Sequence, residues 1–231
     1  GIEASMLKRI YQLKEYVQDY PFFLTKKIQV IENYIKLPDN NVFSIKRNNN
    51  FFFKILIVSR LDNKQKNISN FLFSLNQLDE SYLKKIKVTI IGDGEDLSII
   101  KNIISELNFK DIVRVIKPIA ADLSPYYQDA NLFMIPSEWE GVSNSLLEAM
   151  SYGLPIIALK KCQGMTNFII NGYNGYLVEV ENQSIIFKDL INKLVDDNNL
   201  TVNLGKNSIK VLKKINMSDD KIQWMKLIND I

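Results

Sequence analysis

From residue 50 onward the chain alternates short apolar runs with amphipathic stretches of about ten residues, a rhythm that very few folds accommodate. Residues 51–59, 88–91, 112–116, 132–135, 155–159 and, more weakly, 175–180 read as strands. Helices are expected between them over 68–78, 95–107, 122–129 and 143–152. In the first of these Ile68, Phe71, Leu72, Leu75 and Leu78 recur at helical spacing and make one apolar face. Leu132-Phe133-Met134-Ile135 is an unbroken apolar run stopped by Pro136, as suits a strand buried on both sides. Strands alternating with helices require right-handed crossovers, so the expected fold is α/β: a doubly wound, Rossmann-like parallel sheet, with a helical C-terminal tail over 183–231. Ligands of such sheets bind at the carboxyl ends of the strands, and each motif discussed below falls at one of those ends.

Composition narrows the chemistry. The chain has 231 residues, enough for one large domain or one domain with a smaller attachment, and its 46% hydrophobic and 24% charged residues are those of a globular protein. A net charge of +3 is far from the basic footprint of a nucleic-acid binder, so no nucleic acid is expected as partner. Cys162 is the single cysteine, which rules out an internal disulfide and favours a reducing compartment. There is no histidine, so His-dependent triads and His metal sites are excluded within this chain. Neither a run of eighteen apolar residues nor a signal-like start is present, and a cytoplasmic protein is expected.

The segment from Ile135 to Ala158 carries most of the functional signal, with Glu140 and Glu148 eight positions apart around the start of a helix. Gly141, Val142, Ser143 and Asn144 are small or capping residues ahead of the apolar pattern Leu146, Leu147, Met150. A boundary of this kind aims free backbone N–H groups above the sheet, where an anion is the natural occupant. Two carboxylates beside an anion would repel it unless their own partners were hydroxyls. A ligand with both phosphates and many hydroxyls satisfies both demands, and a nucleotide sugar is one.

The same segment resembles the Glu-x7-Glu signature of retaining glycosyltransferases of the GT-B fold, family 4 (group 1), where it sits in the C-terminal, donor-binding domain. The resemblance extends to Pro136-Ser137, Glu140-Gly141, Leu147-Glu148-Ala149-Met150 and Gly153-Leu154-Pro155, and covers roughly residues 51–231, more faintly 1–40. It implies that Glu140 binds hydroxyls of the donor sugar, that amides around Gly141, Val142, Ser143 and Asn144 face sugar and diphosphate, and that Glu148 holds the ribose hydroxyls. It places a donor-neutralising arginine and lysine at Arg60 and Lys66, after the first strand, with Lys64 a rival at poorer spacing. Two fixed cations would stabilise the charge that builds on a departing nucleoside diphosphate without any metal. Arg60, Lys66 and Glu140 are thus the candidate catalytic residues.

Three weaker elements complete the expected site. Gly92-Asp93-Gly94 follows the second strand, where the resemblance puts the nucleotide side of the cleft, so Gly92 and Gly94 are candidates; a tight structural turn would look the same. As a dinucleotide fingerprint it fails, because the third glycine would fall at Leu97 and the turn follows the second strand instead of the first. That disfavours an oxidoreductase. Lys117 ends the third strand, where base contacts are implied, though it replaces the glycine common there. Gln163-Gly164-Met165-Thr166 resembles a glycine-containing loop facing the sugar, and Asn171 to Gly175 reads as a turn. No Asp-x-Asp clamp appears, and no metal or cofactor is expected beyond the nucleotide sugar as substrate.

Residues 1–50 break the rhythm. A helical pattern (Met6, Leu7, Ile10, Leu13, Val17) leads to an apolar strand over 28–31 and polar stretches near Pro38 and Lys46. This resembles the last helix and strand of an acceptor-binding domain plus a linker, and the donor domain is assigned to 51–231. The apolar surface of residues 1–37, including Phe22 and Phe23, calls for a cover: a second copy, a partner subunit or an acceptor domain, which is also what would touch the inner face of a membrane. A final helix is expected from Met217-Ser218-Asp219, carrying Trp224. The function expected is a metal-independent, retaining hexosyl transfer from a nucleotide sugar to a glycan or glycolipid acceptor, the chain alone being inactive. The alternative is a nucleotide-sugar-binding or assembly module that works only with a partner chain.

Overall fold

The computed structural model describes residues 52–118 and 122–216, and within them the first strand, β1 (Phe53–Val58), is apolar enough to sit in the middle of a sheet. Its residues Ile55, Leu56 and Ile57 are all buried, two facing one side and one the other, which is only possible where both faces are covered. β1 pairs in parallel with β2 (Ile86–Ile91) along its whole length, from Phe53 opposite Ile86 to Val58 opposite Ile91. On its other edge it pairs with β4 (Leu132–Ile135), Ile55 opposite Leu132. With β3 (Val113–Ile116), β5 (Ile156–Leu159) and β6 (Gly175–Val178) the sheet has six strands in the order β3-β2-β1-β4-β5-β6, all parallel. The doubly wound expectation holds.

The order of strands locates the functional crevice. The chain builds outward from β1 to β3, then returns to lay β4 on the opposite side of β1, so the loops leaving β1 and β4 diverge to opposite faces. The carboxyl ends of β1 and β4 thus form a topological switch point, which is where doubly wound sheets take their ligands.

Helices cover both faces. On one, α2 (Ile68–Leu75), α4 (Leu97–Glu106) and α8 (Gln183–Asp196) bury Ile68, Phe71, Leu72, Ile100, Phe187 and Ile191 against Ile55, Ile57, Val88 and Met134. On the other, α6 (Asn144–Ser151) and α9 (Asn198–Asn216) bring Leu146, Leu147, Met150 and Leu212 onto Leu56, Phe133, Ile135 and Ile156. α5 (Ser124–Asp129) precedes β4 on this same side and buries Tyr127. The long α9 comes close to α6: a Cβ on Gly205 would lie 2.0 Å from the Gly153 carbonyl oxygen.

Three one-turn helices escaped the periodicity argument because four residues are too few to show a period: α1 (Asn63–Lys66), α3 (Glu80–Leu83) and α7 (Gln163–Thr166). The first matters most. Gln65 and Lys66 belong to a separate turn ahead of the long helix: Asp62 caps it, and Asn67, at a left-handed φ of 53°, divides it from α2. The tail gives α8 and α9 as expected, while the helix from Met217, the helix and strand of residues 1–50 and the surface proposed for 1–37 lie outside the described residues.

Candidate active site

Lys66 stands in the last position of α1, above the carboxyl end of β1, and its ammonium forms an ion pair with Glu140 in the loop after β4. Each side chain is only 12% exposed. Two elements on opposite sides of the switch point are thus joined by one charge-assisted contact. Ser137 adds to it, its Oγ donating to the same Glu140 oxygen, Oε1, at 3.0 Å. Behind Ser137 the buried thiol of Cys162 donates to the Ser137 carbonyl at 2.9 Å, tying in the loop after β5. Burial pushes the Cys162 thiol up to about 12, and the negative charge of Glu140 adds to the effect.

Gln65 holds the two main loops in register. Its side-chain amide donates to the Trp139 carbonyl at 3.1 Å, and its own carbonyl accepts from the Glu138 N–H at 2.8 Å. Its amide oxygen accepts from Arg60 Nη2 at 2.9 Å, which together with an ion pair to Asp62 at 3.6 Å directs an arginine side chain that is 66% exposed. Asn67 donates to Glu138 Oε1 at 3.0 Å, and Lys161 pairs with Glu138 Oε2 at 3.1 Å. The loops after β1, β4 and β5 form one hydrogen-bonded rim.

Gly141, Val142 and Ser143 are half-buried and lead into α6, for which Ser143 is the N-cap. This end of α6 lies next to Glu140; there the Leu146 N–H turns to the Ser143 carbonyl at 3.1 Å, and the positive end of the helix dipole is directed toward the carboxylate's loop. Gly164 of α7 lies hard against that loop: a Cβ on it would sit 2.6 Å from the Gly141 carbonyl carbon. Asn144 opens α6, and Glu148 lies one turn further along. Glu148 is half-buried, and its Oε2 accepts from the Tyr127 hydroxyl at 2.6 Å.

The glycines after β2 have a plain packing cause. A Cβ on Gly92 would lie 2.0 Å from the Ser59 carbonyl oxygen, and one on Gly94 2.4 Å from that of Leu61. Neither has a positive φ. Room, not backbone freedom, is what these positions require, since the β1 loop lies against this turn through Leu61 N–H to Asp93 O (2.9 Å) and Asn63 N–H to Asp96 Oδ2 (2.6 Å). Lys117 turns back onto Asp93 at 2.8 Å, and its hydrogen bond holds that exposed carboxyl below the usual range.

The structure therefore brings Arg60, Lys66, Glu140 and the Gly141 loop together at the switch point, with Gly92 and Gly94 supporting the neighbouring turn. Lys117 sits two strands away, on a contact of its own, and Glu148 answers to a separate partner. Sequence reasoning gave no role to Gln65, Ser137 or Tyr127. Ser137 lay inside a quoted motif and Gln65 directly before Lys66, but nothing along the chain marks Tyr127, 21 positions before Glu148, as its hydrogen-bond donor. Among the described residues no His, Cys, Asp and Glu cluster could hold a metal ion, and no helix is long and apolar enough to cross a membrane.

Residues 40–211 match the family described as glycosyl transferases group 1. A relative from Haemophilus influenzae, described as an uncharacterized glycosyltransferase, is 31% identical over 166 residues, covering 67% of this chain and 46% of that protein. TarM of S. aureus, solved in complex with Fondaparinux, alpha-GlcNAc-glycerol and UDP, superposes with a TM-score of 0.76 at 22% identity over 87% of this chain and 39% of its own. The C-terminal domain of the group 1 protein LpcC from Francisella tularensis gives 0.63 at 22% identity, over 70% of this chain and 85% of that domain. At these identities the two structures speak to the fold. The chain spans about half the length of the curated relatives it matches.

Proposed function

The chain belongs to the glycosyl transferases group 1, and on that premise we propose that residues 51–231 are the donor-binding domain of a retaining, metal-independent transferase that takes a hexose from a nucleotide sugar. The acceptor is a glycan or glycolipid. The observation that carries the reading is the Lys66–Glu140 ion pair, half from each side of the switch point. A cation and a carboxylate held there answer the two halves of such a ligand: the ammonium suits a diphosphate and the carboxylate suits sugar hydroxyls. Donor arrival exchanges one internal pair for two external contacts. Arg60, directed by Gln65, supplies the second cation, and the positive end of the α6 dipole faces the developing charge on the leaving diphosphate. Ser59 Oγ, buried at the end of β1 without a partner among the described residues, is a further group for a ligand to satisfy.

On the same reading Glu148 binds the ribose, Gly92 and Gly94 line the nucleotide side, and Lys117 reaches the base after leaving Asp93. Residues 1–50 would then be the remnant of an acceptor-binding domain and its linker. Calorimetry with UDP, GDP and ADP, in the presence of EDTA, tests the proposal. Binding of at least one at micromolar to millimolar level, lost in Lys66→Ala, is expected; a strict requirement for added divalent metal would remove the metal-independent mechanism.

A further inference from the structure

We propose that Tyr127 is a positioning residue for the donor's ribose, fixing the carboxylate of Glu148 in the orientation that receives the vicinal hydroxyls. The inference rests on the reading of Glu148 given above. A glutamate in mid-helix has three rotatable bonds and several rotamers, and a half-buried one with no fixed donor would sample them. Glu148 is not left to do so. The Tyr127 hydroxyl donates to its Oε2 at 2.6 Å, from a side chain that is 2% exposed and has little freedom of its own.

That rigidity has a visible source. The Tyr127 ring stacks on Tyr152 with centroids 5.5 Å apart and planes 4° from parallel, and meets Phe133 of β4 at 5.9 Å and 42°. The Tyr152 hydroxyl in turn donates to Ser124 Oγ at 2.6 Å, closing the contact back onto the first residue of α5. Three rings and two hydroxyls hold the phenol between α5, β4 and α6, so its O–H has one direction available. Burial first, then the hydrogen bond and charge of Glu148, push the phenol's ionisation far above its ordinary value, so it remains a proton donor wherever the protein is folded.

The stoichiometry of lone pairs fits this role. An ionised carboxylate offers about four acceptor sites, and the phenol occupies one. Among the described residues no second hydrogen bond or ion pair to the Glu148 carboxylate is present, so Oε1 and the remaining lone pair of Oε2 stay open for two adjacent ribose hydroxyls. Such a diol needs two acceptors at fixed separation, which a carboxylate supplies only when its plane is fixed. A staple whose task was solely to join α5 to α6 would be satisfied equally by the ring stack.

Tyr127→Phe removes one oxygen and keeps the stack. In this chain the readout is calorimetric affinity for whichever of UDP, GDP or ADP binds, for its 2′,3′-dideoxy counterpart, and for inorganic pyrophosphate. The variant is expected to lose about tenfold for the ribonucleotide, as for one charge-assisted hydrogen bond, while the dideoxy compound and pyrophosphate change less than about twofold. In a Glu148→Gln background the same substitution should then have no further effect on the ribose preference, because its route is gone. 4-Aminophenylalanine at position 127, still a donor, should restore the preference. If Tyr127→Phe proves too unstable to assay, 4-fluorophenylalanine fills the hydroxyl's space without a proton and must show the same loss. A Tyr127→Phe protein with unchanged ribose preference, beside a Glu148→Gln protein that has lost it, would overturn the inference and leave the role of Glu148 standing. An undiminished preference in Glu148→Gln would remove both.

Discussion

Lys66 and Glu140 show what a single contact costs and what it permits. At 12% exposure each, the two charges have given up most of their water and depend on one another and on Ser137. Removing one partner strands the other. Lys66→Ala should therefore lower the unfolding free energy by about 2 kcal/mol as well as weaken diphosphate binding. The double variant Lys66→Met with Glu140→Gln, which leaves no stranded charge, should recover most of that stability and none of the binding, as urea titration and calorimetry would register. Arg60→Ala is the contrasting case. Its side chain is 66% exposed, so unfolding should not respond while diphosphate affinity falls.

Cys162 offers a prediction of a different kind at the same scale. Its thiol is raised from an ordinary value of 9.0 to about 12, so the folded state keeps a proton that the unfolded chain gives up. Above about pH 9 the unfolded form binds fewer protons than the folded one, so stability falls with rising pH across the 9-to-12 window and is unaffected by this group below it. Iodoacetamide at pH 8 should leave the native protein unmodified and label it in denaturant, since the reactive thiolate is absent and the sulfur is fully buried. Rapid labelling of the folded chain at pH 8 would contradict the buried contact with Ser137.

At the scale of elements, the rim of the site depends on backbones that nearly touch. α7 can lie against the loop after β4 only because Gly164 has no side chain; a methyl there would come 2.6 Å from the Gly141 carbonyl carbon, a distance that real Cβ atoms do not adopt. Gly164→Ala should thus displace the Gly141 loop, and Glu140 with it. The expected outcome is a loss of about 1–3 kcal/mol in stability, as for an overpacked contact, with nucleoside-diphosphate affinity reduced beside it. Differential scanning calorimetry with and without ligand separates the two effects. The same reasoning covers Gly92 and Gly94, where the obstructing atoms belong to Ser59 and Leu61, so an alanine there would act on Arg60 from behind.

At the scale of the molecule, the described residues form one sheet with one switch point, flanked by the loops after β1, β4 and β5. Donor binding needs no more than this. Transfer needs a second reactant held in place, a contribution of roughly 7–11 kcal/mol to a two-substrate barrier. This chain by itself should accordingly bind a nucleoside diphosphate yet fail to glycosylate soluble acceptors. Sustained turnover by a preparation shown to be monomeric would mean that the acceptor site lies within these residues.

The sequence by itself determined the layers, the parallel sheet and the location of the motifs at strand ends, because those follow from periodicity and from apolar runs that only a sheet covered on both faces can bury. Leu56 and Phe133 reveal their burial in any reading of β1 and β4. It also marked Arg60, Lys66, Glu140 and Glu148, since a motif is a local pattern. Pairings between distant positions have no such local trace. That Lys66 rests on Glu140, that Gln65 holds Trp139, and that Tyr127 reaches Glu148 were decided only when the crossovers brought positions 21 to 74 residues apart into contact. The one-turn helix α1 belongs with these, because a left-handed Asn67 is fixed by the hydrogen bonds of its neighbours and by no period of its own.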